Sequence, residues 1–210
     1  MQPFRELRES FRRNGLLIAV IAVAFFSLLI VSGIVTYIIL LSSPGLISDF
    51  QSVIGETRAY IAIPPPYTND LYRLIFLNNI GHFWNPERIW VWIPSVGAIS
   101  LGYELLLNAI VIGGVASFTS VVKGPMFTVA GLTPHGVFEI PAFILEFSGL
   151  ARWHVTMTRA VYSKLSGRAI DRPLLVVGLK DVLILSLLSV LLFAIAAYVE
   201  TFITPRFLGL

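Results

Sequence analysis

Apolar positions in this chain come in long uninterrupted blocks separated by short polar stretches. Leu16–Leu41 carries no charged side chain. About 20 apolar helical residues cross the roughly 30 Å hydrocarbon core of a bilayer, so this block spans it with some tilt. It is longer than the apolar region of a signal peptide, and no small-residue cleavage motif follows it. It predicts a first transmembrane helix over 16–41, stopped by Ser42-Ser43-Pro44-Gly45. Ahead of it, Phe4, Leu7 and Phe11 recur at helical spacing among Arg5, Arg8, Arg12 and Arg13, which predicts a short interfacial helix.

The later blocks are less regular. Residues 42–70 form the longest polar connection, with Asp49, Glu56 and Asp70 against Arg58 alone, and Pro64-Pro65-Pro66 predicts an extended end. Leu71–Trp84 is apolar but contains Arg73, Asn78, Asn79 and His82, as an amphipathic helix or the first turns of a tilted span would. Ile89–Val122 holds one charge, Glu104. As one helix it would measure about 50 Å, too long for a single crossing. Pro94, Gly97 and Gly102 offer bends, which predicts an amphipathic or second membrane segment over 71–102 and a third span over 103–122. A fourth span is expected over 125–151, broken at Pro134-His135-Gly136. A basic loop follows over 152–180, then a fifth span over 181–203. The predicted architecture is all-α: one polytopic membrane domain of about five transmembrane helices.

Composition agrees. Of 210 residues, 56% are apolar and 13% charged, against roughly 25% charged in an ordinary soluble domain. Too few polar residues remain to cover a soluble core. The net charge of +3 reflects lysines and arginines flanking membrane segments rather than a nucleic-acid surface. The chain has no cysteine, which excludes disulfides, thiolate metal sites and cysteine nucleophiles.

Charge also orients the chain. The basic amino end and the basic 152–180 loop belong in the cytoplasm, and the acidic 42–70 loop outside. Three crossings between that loop and Arg152 give five helices, amino end in and carboxyl end out. The alternative is one crossing plus a re-entrant hairpin around Pro134, giving three helices. Lys123 points toward that alternative, because five helices put it outside.

Carboxylates are costly at the centre of a bilayer, so Glu104, Glu139, Glu146 and Glu200 should face protein or water. His135, Glu139 and Glu146 would share one helix face, as would Glu104 and Asn108. One reading is a polar pathway in which His135 and Glu139 handle a proton or cation. The other is that these groups bridge neighbouring helices as hydrogen-bonding glue. In the densest segment Pro134 suits a helix start capped by Thr133, and Pro141 removes a further helix hydrogen bond beside Glu139. A helix interrupted beside a histidine and a carboxylate is how transporters build ion sites; a plain kink is the other reading. There is no His-Glu-x-x-His, Gly-x-Ser-x-Gly or phosphate loop, and His82, His135 and His154 are scattered, so no catalytic set, metal or cofactor is expected. Gly102, Gly113, Gly114, Ala194, Ala196 and Ala197 suit close helix packing.

Pro134-His135-Gly136 followed by Glu139 and Pro141 resembles the Pro-His-Gly-x-x-Glu-x-Pro signature of the stage II sporulation protein M family. Phe76-Leu77-Asn78-Asn79 is similar to its amphipathic Phe-x-x-Asn stretch. Leu107-Asn108-Ala109 with Gly113 resembles its Asn-Gly-x-x-x-Gly helix, with alanine in place of the first glycine. Gly149-Leu150, and Glu200 with Thr204-Pro205, follow in the family's order. The resemblance covers about Leu71 to Pro205. It implies a multi-pass protein, often of five helices. In spore-forming bacteria the namesake works with peptidoglycan-degrading partners, and relatives occur in organisms without spores, including archaea. Asn85-Pro86-Glu87-Arg88 departs from the family pattern, where more apolar residues are expected.

The sequence thus leads to a non-enzymatic membrane protein whose partners are the bilayer and either a second copy of itself or other membrane proteins, with no nucleic acid. A scaffold of an envelope or membrane-remodelling complex is the first expectation. A transporter or channel using His135, Glu139 and Glu104 is the second.

Overall fold

The computed structural model describes residues 2–43, 45–49, 51–52 and 63–209. Part of the acidic connection, residues 44, 50 and 53–62 with Glu56 and Arg58, lies outside the described residues. Every regular element described is helical: α1 Gln2–Ser42, α2 Asn69–Asn79, α3 Gly81–Trp84, a 3-10 segment Pro86–Trp92, α4 Val96–Lys123, α5 Pro125–Leu165, α6 Arg172–Phe202 and α7 Thr204–Phe207.

Among the described residues four helices, α1, α4, α5 and α6, are long and apolar enough to cross a membrane. The sequence suggested about five, and the difference lies in 71–102. There, where an amphipathic or second membrane segment was expected, the chain makes the amphipathic helix α2, the single turn α3 and the 3-10 segment, each too short to span. Asn85 and Pro86 cause the interruption: the Asn85 side chain accepts a hydrogen bond from the Glu87 N–H at 2.9 Å and opens the 3-10 segment, with Pro86 in its first turn.

Three expected boundaries move. The interfacial piece before Leu16 is not separate, because α1 runs unbroken for 41 residues. Gly102 does not bend the chain, since α4 continues through it. The helix is not broken at Pro134-His135-Gly136 either: α5 runs for 41 residues through Pro134 and Pro141. A proline inside a helix costs roughly 3 kcal/mol. Opening the helix in hydrocarbon would strand several backbone groups at a cost of several kcal/mol each, so continuity prevails.

The basic 152–180 stretch is mostly helix, with only Ser166–Asp171 between α5 and α6. Gly167, at φ 68°, ends α5. Arg168 N–H bonds Ser163 O at 2.8 Å and Gly167 N–H bonds Lys164 O at 3.2 Å, the paired closure that only a left-handed residue permits. Asp171 starts α6 by accepting from Leu174 N–H at 3.0 Å.

The chain divides into two compact units. The first comprises Met1–Ala24, Ile80–Leu105 and Glu139–Phe193. Its core joins Ile21 of α1, Val91 of the 3-10 segment, Leu101 of α4, and Ile144, Phe147 and Leu150 of α5. The second comprises Phe25–Asn79, Leu106–Phe138 and Ala194–Leu210. In it α1 and α4 meet almost backbone to backbone. A Cβ on Gly113 would fall 2.6 Å from Leu29 O and 2.9 Å from Gly33 N. Ser32 Oγ donates to Ala109 O at 3.2 Å and Ser117 Oγ to Gly33 O at 2.7 Å. Small residues thus let two helices bond through hydroxyls where no water competes.

Candidate functional site

The densest polar constellation sits in the first unit and centres on His82. The turn α3 carries this imidazole to α4 and α5. Its Nε2 lies 2.5 Å from Glu104 Oε2 of α4, and its Nδ1 lies 3.0 Å from Glu146 Oε1 of α5. Glu146 is buried, with its side chain 1% exposed. A neutral imidazole can donate from one nitrogen only, whereas an imidazolium donates from both and matches two carboxylate acceptors. Burial disfavours that cation, and a carboxylate at each ring nitrogen offsets the cost. The ring edge packs on Phe147 with centroids 5.6 Å apart.

Two tryptophans hold the turn in place. Trp92 Nε1 donates to His82 O at 2.7 Å, and Trp153 Nε1 of α5 donates to Trp92 O at 2.8 Å. A Cβ at Gly81 would come within 2.8 Å of Arg88 Nη1, the end of a flexible side chain that can move aside.

A second cluster in the same unit joins α1, α5 and α6. Arg13 Nη2 lies 2.6 Å from Asp181 Oδ1 and its Nε lies 3.2 Å from both oxygens. Arg152 Nη2 approaches Asp181 Oδ2 at 3.5 Å, and the Asp181 side chain is fully buried.

In the second unit His135 is buried on α5, with its Nδ1 3.4 Å from Thr204 Oγ1. His135 and Glu200 bring ligand-type atoms within 4.8 Å of each other. Glu139 follows His135 one turn later along α5. An imidazole and carboxylates are ligand types that hold divalent cations.

The sequence-predicted residues therefore part company. Glu104 and Glu146, expected only to find polar partners, share one histidine. Asn108 is half-buried one turn beyond Glu104 on α4, and Asn78 and Asn79 end α2. Gly136 has open space where a Cβ would stand, so no close approach of backbone explains it. Pro134 and Pro141 are helix-interior residues. His82, Arg13, Arg152 and Asp181 were not singled out from sequence. His82 lies 22 and 64 positions from its partners, and Asp181 lies 168 positions from Arg13. The only local signal was a charge at the edge of an apolar block.

The family model described as stage II sporulation protein M matches residues 16–205. The chain belongs to the stage II sporulation protein M family. Within the family's shared region, His82, Glu104, Glu146 and Asp181 all lie inside the matched residues. The chain is also 31% identical over 121 residues to an uncharacterized protein of Methanocaldococcus jannaschii, a match covering 55% of this chain and 65% of that protein. No solved structure matches the chain.

Proposed function

We propose that this member of the family is a non-enzymatic membrane scaffold that acts through helix packing and association with a second copy or with other membrane proteins. The observation that carries the reading is the pairing of ionisable groups with one another across helices. Glu104–His82–Glu146 ties α4 and α5 through α3, and Arg13–Asp181–Arg152 ties α1, α5 and α6. Groups spent on mutual neutralisation fix a shape, and a fixed shape is what a docking platform needs. Liposome reconstitution together with light scattering of the detergent-solubilised protein tests this. Expected are an assembly larger than one copy and no proton or ion flux. A monomer conducting ions, with the flux lost in Glu139→Gln, overturns it.

The second reading is a transporter or channel site around His135 and Glu139. The approach of Glu200 to His135 favours it, because it brings a carboxylate from a separate helix to the signature histidine. The same flux assay decides between the two.

The scaffold reading carries a topology. Arg13, Arg152 and Asp181 meet, so the start of α1, the late part of α5 and the start of α6 share a side. Their flanking arginines and lysines assign that side to the cytoplasm. The start of α5 is then outside, as is the end of α1. Since α4 crosses once between them, a further crossing must lie within residues 43–95, and the interrupted α2–α3–3-10 stretch supplies it. Lys123 and the carboxyl end are then extracytoplasmic.

A further inference from the structure

Between the end of α5 and the start of α6 lies a cavity of about 200 Å³, wholly within the first unit. Arg152, Arg159, Thr156 and Ser163 line it from α5, and Ile170 and Leu174 from the connection and α6. The lining thus pairs guanidinium and hydroxyl donors with aliphatic surface. Arg152 spends Nη2 on Asp181, but its buried Nε finds no hydrogen-bond partner among the described residues. An unmatched buried guanidinium donor is a recurring cost unless a ligand supplies the acceptor. Asp171 also lines the cavity, and its Oδ1 accepts from Leu174 N–H at the head of α6. Lys164, Arg168 and Arg172, exposed and close in sequence to lining residues, add positive charge to this end of the helices.

We propose that this cavity is a binding site for the headgroup phosphate of an anionic phospholipid. Guanidinium groups recognise phosphate by charge-assisted hydrogen bonds, and Ser and Thr hydroxyls complete the cradle. Basic pockets between membrane helices on the cytoplasmic side hold anionic headgroups in this way. The apolar side chains decide between lipid and free ion. Ile170 and Leu174 are 37% and 45% exposed, and acyl chain or glycerol carbons would cover them where a free phosphate would not. The cavity also lies at the ends of two helices long and apolar enough to cross a membrane.

The test is native mass spectrometry of the full-length, detergent-purified protein with added phosphatidylglycerol, phosphatidylcholine or inorganic phosphate. Phosphatidylglycerol should be retained over phosphatidylcholine, and Arg159→Gln should lower its retention about fivefold, the factor one interfacial arginine contributes. Ala160→Phe, which fills the cavity without changing charge, should lower it comparably. Both variants are compared as monodisperse material; Arg159→Ala replaces Arg159→Gln, and the uncharged Ile170→Phe on the opposite wall replaces Ala160→Phe, if either fails to elute so. Equal retention of the two lipids overturns the proposal. So does unchanged retention in Arg159→Gln. A loss in Arg159→Gln with none in Ala160→Phe means general surface attraction and overturns it as well. Displacement of the lipid by equimolar inorganic phosphate identifies a free anion as the ligand and overturns the lipid assignment.

Discussion

Glu146 Oε1 lies 3.0 Å from His82 Nδ1, although 64 positions separate the two residues. The pair joins the long helix α5 to the single turn α3. The other ring nitrogen of the same imidazole, Nε2, meets Glu104 of a second long helix. One side chain on a short segment therefore sets the spacing of two long ones.

Removing one partner should be worse than its area suggests. Glu146→Leu leaves the buried imidazolium half-matched and should cost about 3 kcal/mol. Glu104, with 21% of its side chain exposed, retains access to water, so Glu104→Gln should cost less. Thermal unfolding in detergent ranks the two, and Glu146→Leu melting with the wild type would remove the triad from the stabilising contacts.

Neighbouring glycines should respond in opposite ways. Gly113→Val drives a side chain into the Leu29 carbonyl and Gly33 amide of α1, with an expected loss of about 1–3 kcal/mol or more. Gly102 has nothing within 4 Å of a built Cβ, so Gly102→Ala should be neutral or stabilising by up to about 1 kcal/mol. Equal effects from the two substitutions would mean α1 and α4 do not approach at Gly113.

Arg13 and Asp181 should couple. In a double-mutant cycle of Arg13→Gln and Asp181→Asn, the pair should show an interaction energy of about 1–3 kcal/mol. Additive losses would indicate that the 2.6 Å contact contributes no net stability.

Topology can be read by labelling. A cysteine replacing Lys123 should react with an impermeant maleimide in intact cells, and one replacing Arg168 only after permeabilisation. The reverse pattern would exclude the amino-end-in arrangement and the extra crossing within 43–95.

The sequence by itself determined that lipid is the solvent for most of this protein, because the apolar block 16–41 and its later counterparts exceed what a soluble core can hide. It also revealed the family, through Pro134-His135-Gly136 with Glu139 and Pro141, and named Glu104 and Glu146 as residues needing partners. Which partners they take was decided only by the tertiary structure. His82 reaches them because Asn85 and Pro86 halt a span and leave a one-turn helix between α4 and α5, and no local periodicity encodes a meeting 64 residues apart. Helix continuity through Pro134 was likewise beyond the sequence. Proline propensity is measured against water, whereas hydrocarbon penalises every backbone group that a break would expose.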